Sequence, residues 1–318
     1  MIFGRYDFHC TLLGDTCLPA FKGSTFRGVF GSALQRVVCA VRERDCASCL
    51  LAVRCLYART FEISGGTGGG GTRIAAPPHP YVIEPPLATE TRFRAGEKFD
   101  FSLLLFGSVN EALPYFIYAF ETMGEMGIGR RVGGKRAGFR LERVQCGGGT
   151  VYDGASRKLV LPQSLKKLSL PEADGAESPG SVEVKLLTPL RLKSGNAFTA
   201  ELPFHILVRA MLRRISSLFA VHGEGEPPLD YKGLVAAAHG VATVKSSLRW
   251  HDWERWSGRQ EQTMLMGGLL GSISYEGAIG PFLPLLELSR ELHLGKQTAF
   301  GLGQIDFSTN GGKPAERR

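Results

Sequence analysis

The stretch FLPLLELSRELHLGKQTAFGLGQIDF, residues 282–307, decides the fold because it joins a helix, a glycine-rich loop and a strand in one short run. Its apolar pattern predicts a helix over 282–293 and a closing strand over 303–307. The loop does not match a P-loop, because Arg290 stands where that motif requires glycine and Gln297 where it requires Ser or Thr. The run therefore indicates the end of an α+β domain.

The residues before this run complete the same domain. Alternating apolar residues predict a strand over 181–192, and three- and four-residue spacing predicts a helix from about Glu201 to Val221. Strand-like stretches follow at 244–256 and 262–275. The resulting order, β-α-β-β-α-β, is typical of a ferredoxin-like domain.

The first half of the chain shows five elements of a similar order. Its predicted strands and helices lie at 2–13, 22–41, 98–106, 111–123 and 140–146. We therefore expect an α+β fold with two tandem ferredoxin-like (RRM-like, βαββαβ) domains and a C-terminal glycine-rich loop. Prolines, acids and small polar residues predict a linker, so the expected parts are a first domain with a cysteine-rich insertion (1–161), the linker (162–180), a second domain (181–310) and a tail (311–318).

Composition narrows the class of protein. The chain has 318 residues, 43% of them hydrophobic, and its 38 Lys and Arg against 30 Asp and Glu give a net charge of +8. This excess of positive charge favours an anionic partner. No apolar run reaches the roughly 18 residues of a membrane-spanning helix, and the charged N-terminus does not resemble a signal peptide. We therefore expect a cytoplasmic protein without a membrane partner.

Four of the seven cysteines lie close together, at Cys39, Cys46, Cys49 and Cys55. The two-residue gap between the inner pair is typical of metal chelation, and four thiolates favour a structural zinc ion over an iron–sulfur cluster. The alternative is a set of reduced, buried cysteines, because the outer gaps of six and five residues match no standard zinc finger.

Basic residues occur in three further stretches. Between Gly124 and Gly138, glycines alternate with cations and predict an anion site, or alternatively a solvated hairpin. The helix at 201–221 presents a row of arginines, which holds RNA or covers apolar surface, and 249–259 mixes arginines with all three tryptophans, a pattern suited to base stacking. The residues assigned to RNA here are Arg130, Arg131, Lys135, Arg136, Arg209, Arg213, Arg255 and Arg259, and Arg214 lies in the same helix row as Arg209 and Arg213.

Several segments resemble one known family. Residues 282–307 are similar to the C-terminal signature of the CRISPR pre-crRNA-processing endoribonucleases of the repeat-associated mysterious protein (RAMP) superfamily. Four more segments resemble a variant of that family with a cysteine cluster, namely LPAFKGSTFRGVFGSALQRVVCA, CLYARTFE, PPHPYVIEPP and WERWSGRQ. The resemblance implies two ferredoxin-like domains that bind CRISPR repeat RNA, or precursor crRNA, and cut it without a catalytic metal. Attack by a ribose 2′-hydroxyl would leave a 5′-hydroxyl and a cyclic phosphate.

The resemblance also implies a base, a proton donor and a cation at the cleavage site. Many family members place a histidine near the first helix, but residues 20–41 contain none. The candidate catalytic residues are therefore Lys22 and Arg27 at the start of that helix, with His79 or His251 as the base. The glycine-rich loop supplies candidate RNA contacts at Gly295, Lys296, Thr298, Gly301 and Gly303.

Two other functions stay open at this point. The missing histidine favours a non-catalytic RNA-binding subunit of a CRISPR effector complex, which would have other effector subunits as partners. An iron–sulfur redox protein is the third reading. A homodimer is compatible with all three.

Overall fold

The computed structural model describes residues 1–41, 45–63, 66–67, 73–74, 77–170, 179–194, 197–198, 201–257 and 262–309. It is a mixed α+β structure with antiparallel sheets, in two compact units. One unit comprises Met1–Lys167 with Val221–Gly223, and the other comprises Leu168–Ala220 with Glu224–Arg318. The described part of the chain includes no helix that combines the length and the apolar character needed to cross a membrane.

The first unit has a seven-stranded sheet and three helices. Its helices are α1 (Gly23–Val38), α2 (Leu56–Phe61) and α3 (Leu113–Met126). Its strands are β1 (Ile2–Leu12), β2 (Thr16–Cys17), β3 (Gly66–Thr67), β4 (Arg73–Ile74), β5 (Tyr81–Glu84), β6 (Arg92–Phe93), β7 (Lys98–Phe106), β8 (Ile128–Val132), β9 (Lys135–Ala137), β10 (Phe139–Cys146), β11 (Gly149–Asp153), β12 (Lys158–Leu159) and β13 (Lys166–Lys167). The sheet order is β12-β11-β10-β1-β7-β5, and β13 pairs with β1.

Aromatic packing holds the helices of this unit on its sheet. From Tyr6 onward, β1 buries every second residue, as expected for a strand with one face on a core. Phe8 of β1 lies 4.7 Å from Phe120 of α3, and Phe120 stacks at 4.4 Å on Phe30 of α1. Since each phenyl ring buries a large apolar area, this cluster fixes α1 against α3 and the sheet.

The second unit has a five-stranded sheet. Its helices are α4 (Phe204–His222), α5 (Tyr231–Ala238) and α6 (Leu283–Leu292). Its strands are β14 (Ser181–Leu190), β15 (Lys193–Ser194), β16 (Ala197–Phe198), β17 (Ala242–Ser246), β18 (Arg249–Ser257), β19 (Gln262–Glu276) and β20 (Ile305–Thr309). The order is β17-β19-β14-β20, with β18 paired to β19 alone, and Phe204 anchors α4 by packing 4.9 Å from Tyr275 and 5.0 Å from Phe282.

The predicted elements are confirmed with small differences at their ends. The first helix stops at Val38, three residues earlier than expected, because Cys39 adopts an extended backbone. The stretch 244–256 divides into β17 and β18. Part of the expected linker is a strand instead, since Lys166 and Lys167 pair with Phe3 and Ile2. Residues 171–178 of that linker and the tail at 311–318 lie outside the described residues.

Candidate functional site

A cluster of polar and aromatic side chains in the first unit connects two of the candidate catalytic residues through two aromatic rings. Arg27 of α1 places its guanidinium carbon 5.0 Å from the ring centre of Phe61 in α2. Phe61 lies 5.3 Å from the ring of Tyr81, and His79 lies 5.7 Å from the same ring. Tyr57 completes the cluster by stacking on Phe61 at 5.1 Å. We call these five residues the Arg27–His79 cluster.

The orientation of His79 suits acid–base chemistry. Its Nδ1 lies 2.9 Å from the backbone carbonyl oxygen of Thr60. A carbonyl oxygen only accepts hydrogen bonds, so Nδ1 carries the proton in the neutral ring and Nε2 carries the lone pair. Both His79 and Arg27 are half-buried. The cluster therefore combines an imidazole, whose Nε2 carries the lone pair, with a guanidinium.

Tyr81 is a neutral member of this cluster. Burial raises the pKa of Tyr81 to about 12, and the nearby Arg27 guanidinium opposes that increase. The hydroxyl therefore keeps its proton at neutral pH, which makes it a poor base. The sequence did not predict that this site includes Tyr57, Phe61 and Tyr81. The four-residue spacing of Tyr57 and Phe61, which places both on one side of a helix, is a signal for two of them.

Lys22 is not placed like a catalytic residue. Its side chain is fully buried at the start of α1. The ammonium donates hydrogen bonds to the carbonyl oxygens of Ala88 and Ala20, the latter at 3.2 Å, and lies 5.4 Å from the ring centre of Phe93. Burial lowers the pKa of Lys22, and the charge of Glu90 opposes this. No surface of Lys22 is open to a substrate, which contradicts the expected catalytic role. Its hydrogen bonds to backbone carbonyls indicate a structural role instead.

His251 lies in the second unit, on β18. It is exposed and stacks on Trp253, with 5.9 Å between ring centres and 20° between planes. On the same strand, Trp250 donates from Nε1 to Asp252 Oδ1 at 2.8 Å. Arg255 is a residue of β18, and its backbone pairs with that of Met264 in β19. Arg259 lies outside the described residues.

The basic, glycine-rich stretch forms the hairpin β8–β9. Val132 pairs with Lys135, and the turn residues Gly133 and Gly134 have φ of 58° and 83°, as a tight two-residue hairpin turn requires. All four predicted RNA-binding cations of this stretch are exposed on it: Arg130, Arg131, Lys135 and Arg136. The hairpin carries no acidic residue between Ile128 and Ala137. Its surface therefore favours an anionic partner.

The C-terminal glycine-rich loop is mostly interior. Lys296 is exposed and Gly295 half-buried, but Thr298, Gly301 and Gly303 are buried, which argues against direct RNA contact by these three. The Gly301 carbonyl accepts from the Thr188 hydroxyl at 2.7 Å. A Cβ on Gly303 would overlap the Leu294 carbonyl. These glycines allow the loop to pack against the end of β14.

The arginines of α4 divide between surface and interior. Arg209 and Arg213 are exposed, as RNA contact requires. Arg214 is buried, and its Nε donates to the carbonyl oxygens of Leu292 at 3.0 Å and His293 at 3.1 Å. Burial lowers the pKa of Arg214 to about 9, so the side chain stays charged at neutral pH. Of the two roles open for this row, Arg214 has the structural one, because its guanidinium caps the end of α6.

The four clustered cysteines are half-buried thiols around two helix ends. Cys39 is the C-cap residue of α1 and Cys55 the N-cap residue of α2, with Cys46 and Cys49 between them. In the part of the chain that the structure describes, no three His, Cys, Asp or Glu side chains already form a metal-binding group.

Comparisons with known proteins agree with this architecture. Residues 1–164 match the family model AF_1859_N, described as an N-terminal domain, and residues 184–305 match that of the CRISPR-associated endoribonuclease Cas6. An uncharacterized protein of Archaeoglobus fulgidus is 28% identical over 294 residues, which cover 90% of this chain and 91% of that protein.

Two solved structures show the same fold. A product complex of a Thermus thermophilus Cas6 matches with a TM-score of 0.56 and 16% identity, over 96% of this chain and 100% of that one. A partial Cas6-RT-Cas1–Cas2 complex matches with a TM-score of 0.57 and 12% identity, over 100% of this chain and 47% of that one.

Proposed function

Since the chain belongs to the CRISPR endoribonucleases of the RAMP superfamily and has a CRISPR-associated RNA-processing role, we propose that it binds CRISPR repeat RNA and cleaves precursor crRNA. The observation that carries this proposal is the Arg27–His79 cluster, in which one unit brings an imidazole and a guanidinium to the same aromatic surface.

The strand orders support tandem ferredoxin-like domains. In the first unit, the four strands β10-β1-β7-β5 stand in the order fourth, first, third, second of a βαββαβ unit. In the second unit, β17-β19-β14-β20 follow the mirror reading of the same order. Both units are therefore consistent with the duplicated fold that the resemblance implies.

The proposed reaction needs no metal ion in its chemical step. His79 Nε2 takes the proton of a ribose 2′-hydroxyl, and the freed oxygen attacks the adjacent phosphorus. As the O2′–P bond forms and the P–O5′ bond breaks, Arg27 stabilises the negative charge on the phosphorane oxygens. The leaving 5′ oxygen takes a proton from solvent. The products are a 2′,3′-cyclic phosphate and a 5′-hydroxyl.

RNA binding is assigned to exposed cations of each unit. The β8–β9 hairpin supplies four of them, and Arg209, Arg213 and Lys296 supply three in the second unit. Each neutralises phosphate charge and releases counterions, which makes binding dependent on salt. The base-stacking role of the β18 aromatic residues stays a prediction. Two kinds of partner, other effector subunits and a second copy of this chain, also stay predictions, as does the cytoplasmic location.

A single-turnover assay tests the proposal. The wild-type protein should cut a labelled CRISPR repeat RNA at one site in EDTA, and end-group analysis should find a cyclic phosphate and a 5′-hydroxyl. His79→Ala should slow cleavage about 100-fold or more, as for loss of a general base, without changing affinity. His251→Ala is the matched variant in the second unit and should cut at the wild-type rate.

Other outcomes would contradict specific parts of the proposal. Equal rates for wild type and His79→Ala would remove His79 from the mechanism, and loss of cleavage in His251→Ala alone would assign the base to β18. Tight binding with intact RNA would support the second candidate, a non-catalytic crRNA-binding subunit. That candidate is favoured by the burial of Lys22 and by the lack of histidine in 20–41.

A further inference from the structure

Among its described residues, 39–41 and 45–55, the segment between α1 and α2 buries no large aliphatic side chain. Its aliphatic side chains point outward: Leu50 is 98% and Val53 82% exposed. The hydrogen bonds found within it are local, such as those from Ala47 N and the Ser48 hydroxyl to the Asp45 carboxylate, at 3.0 and 2.8 Å. A short segment with this pattern needs another source of stability.

The four thiols of this segment show the opposite pattern of burial. Cys39, Cys46, Cys49 and Cys55 are all half-buried, while the leucine and valine beside them face solvent. Backbone turns connect part of the set, since the Cys49 carbonyl accepts from Ala52 N at 3.0 Å and the Leu51 carbonyl from Cys55 N at 2.9 Å, and Cys39 and Cys55 stand at the facing ends of α1 and α2 in the chain. A cysteine-lined interior with aliphatic residues outside is typical of small segments that fold around a metal ion.

We propose that Cys39, Cys46, Cys49 and Cys55 bind one zinc ion, which joins the end of α1 to the start of α2. Four thiols release four protons to solvent and coordinate the ion tetrahedrally, with Zn–S distances of about 2.3 Å. Since no three of these side chains yet form a metal-binding group in the described residues, binding requires the half-buried thiols to turn toward one another.

The position of this site gives the zinc ion an indirect part in the proposed cleavage, and this second step rests on the proposed function. Cys55 caps α2, and α2 supplies the Thr60 carbonyl that orients His79 and the Phe61 ring that contacts Arg27. A metal that fixes the start of this six-residue helix also fixes both contacts. The cysteines are thus positioning residues, since they act on the cluster only through α2.

Metal analysis of the full-length protein tests the site. Purified under reducing conditions with zinc supplied, the wild-type protein should hold one zinc ion per chain by elemental analysis. Cys49→Ser should lower the zinc content at least tenfold, whereas Cys17→Ser, a half-buried cysteine outside the segment, should retain it. Zinc below one tenth per chain in the wild type, equal zinc in both variants, or visible iron–sulfur absorbance would each overturn the proposal.

A second measurement covers the case in which Cys49→Ser fails to fold. A mercurial that modifies thiols should release one zinc ion per chain from the wild-type protein and the same amount from Cys17→Ser, as followed with a metal-sensitive dye. Release of no zinc, or of zinc without thiol reaction, would overturn the four-thiol site.

The positioning role has its own readout. In Cys49→Ser, kcat should fall at least tenfold and its pH profile should shift while KM stays constant, because His79 loses its fixed orientation. A kcat and pH profile equal to those of Cys17→Ser would refute this role. A wild-type protein that binds zinc but does not cleave RNA would contradict the proposed function alone. A wild-type protein that holds no zinc but cleaves RNA would contradict the metal site alone.

Discussion

Arg213 and Arg214 are adjacent in α4 but should respond to mutation in opposite ways. Arg214→Ala removes the guanidinium that donates to the Leu292 and His293 carbonyls. Two unsatisfied carbonyls cost about 1–3 kcal/mol each, and the cavity left by a large side chain costs about 2–5 kcal/mol. Against this, the variant regains the cost of burying a charge, about 5 kcal/mol for a pKa lowered from 12.5 to about 9.

The net expectation for Arg214→Ala is a loss of about 3 kcal/mol in the free energy of unfolding. Arg213→Ala, on the exposed side of the helix, should change it by less than about 0.5 kcal/mol. Urea unfolding measures both values. In parallel, the salt dependence of repeat-RNA binding should weaken for Arg213→Ala and stay unchanged for a folded Arg214→Ala sample. Wild-type stability of Arg214→Ala combined with weaker RNA binding would refute the capping role.

Three further predictions concern the hairpin, the cluster and the loop. Replacing Arg130, Arg131, Lys135 and Arg136 together by Ala should reduce the slope of log affinity against log salt by up to about 3, whereas Arg140→Ala, already paired with Glu142, should leave it unchanged. The folded state holds the Tyr81 proton to about pH 12 while the unfolded chain releases it at its ordinary pKa of 10.0, so stability falls above pH 10. Tyr81→Phe should remove about 2.3 kcal/mol of that loss at pH 12 in alkaline unfolding curves, since the full effect of about 2.7 kcal/mol is reached only above pH 12. Gly303→Ala, at φ 75° against the Leu294 carbonyl, should lower stability by more than about 2 kcal/mol, and Gly28→Ala, with open space in α1, should raise it by about 0.5–1 kcal/mol.

Local patterns predicted the elements well, because periodicity is written into neighbouring residues. The strand expected at 98–106 is β7 without a change at either end. The burial of Arg214 was also readable from the sequence: it lies three residues after Met211 and four before Leu218, on the apolar face of the helix.

Contacts between distant residues could not be predicted in the same way. Buried Lys22 donates a hydrogen bond to the Ala88 carbonyl, 66 residues away in the sequence, and the Thr60 carbonyl that orients His79 is 19 residues away in the sequence. Neither separation in sequence corresponds to the repeat of a helix or of a strand. The sequence therefore supplied Arg27 and His79 as separate candidates, and only the fold shows that Phe61 and Tyr81 lie between them.

The number of positive charges is thus a poor guide to the RNA surface of this protein. A cation contributes to counterion release only when it meets phosphate in water, whereas a buried cation must be offset by fixed acceptors. Lys22 and Arg214 are of the second kind, because each donates hydrogen bonds to two backbone carbonyls. The hairpin cations are of the first kind, because they stand exposed on a strand pair without an acidic residue. Sorting the cations by burial therefore separates those that should change melting temperature from those that should change the salt dependence of binding.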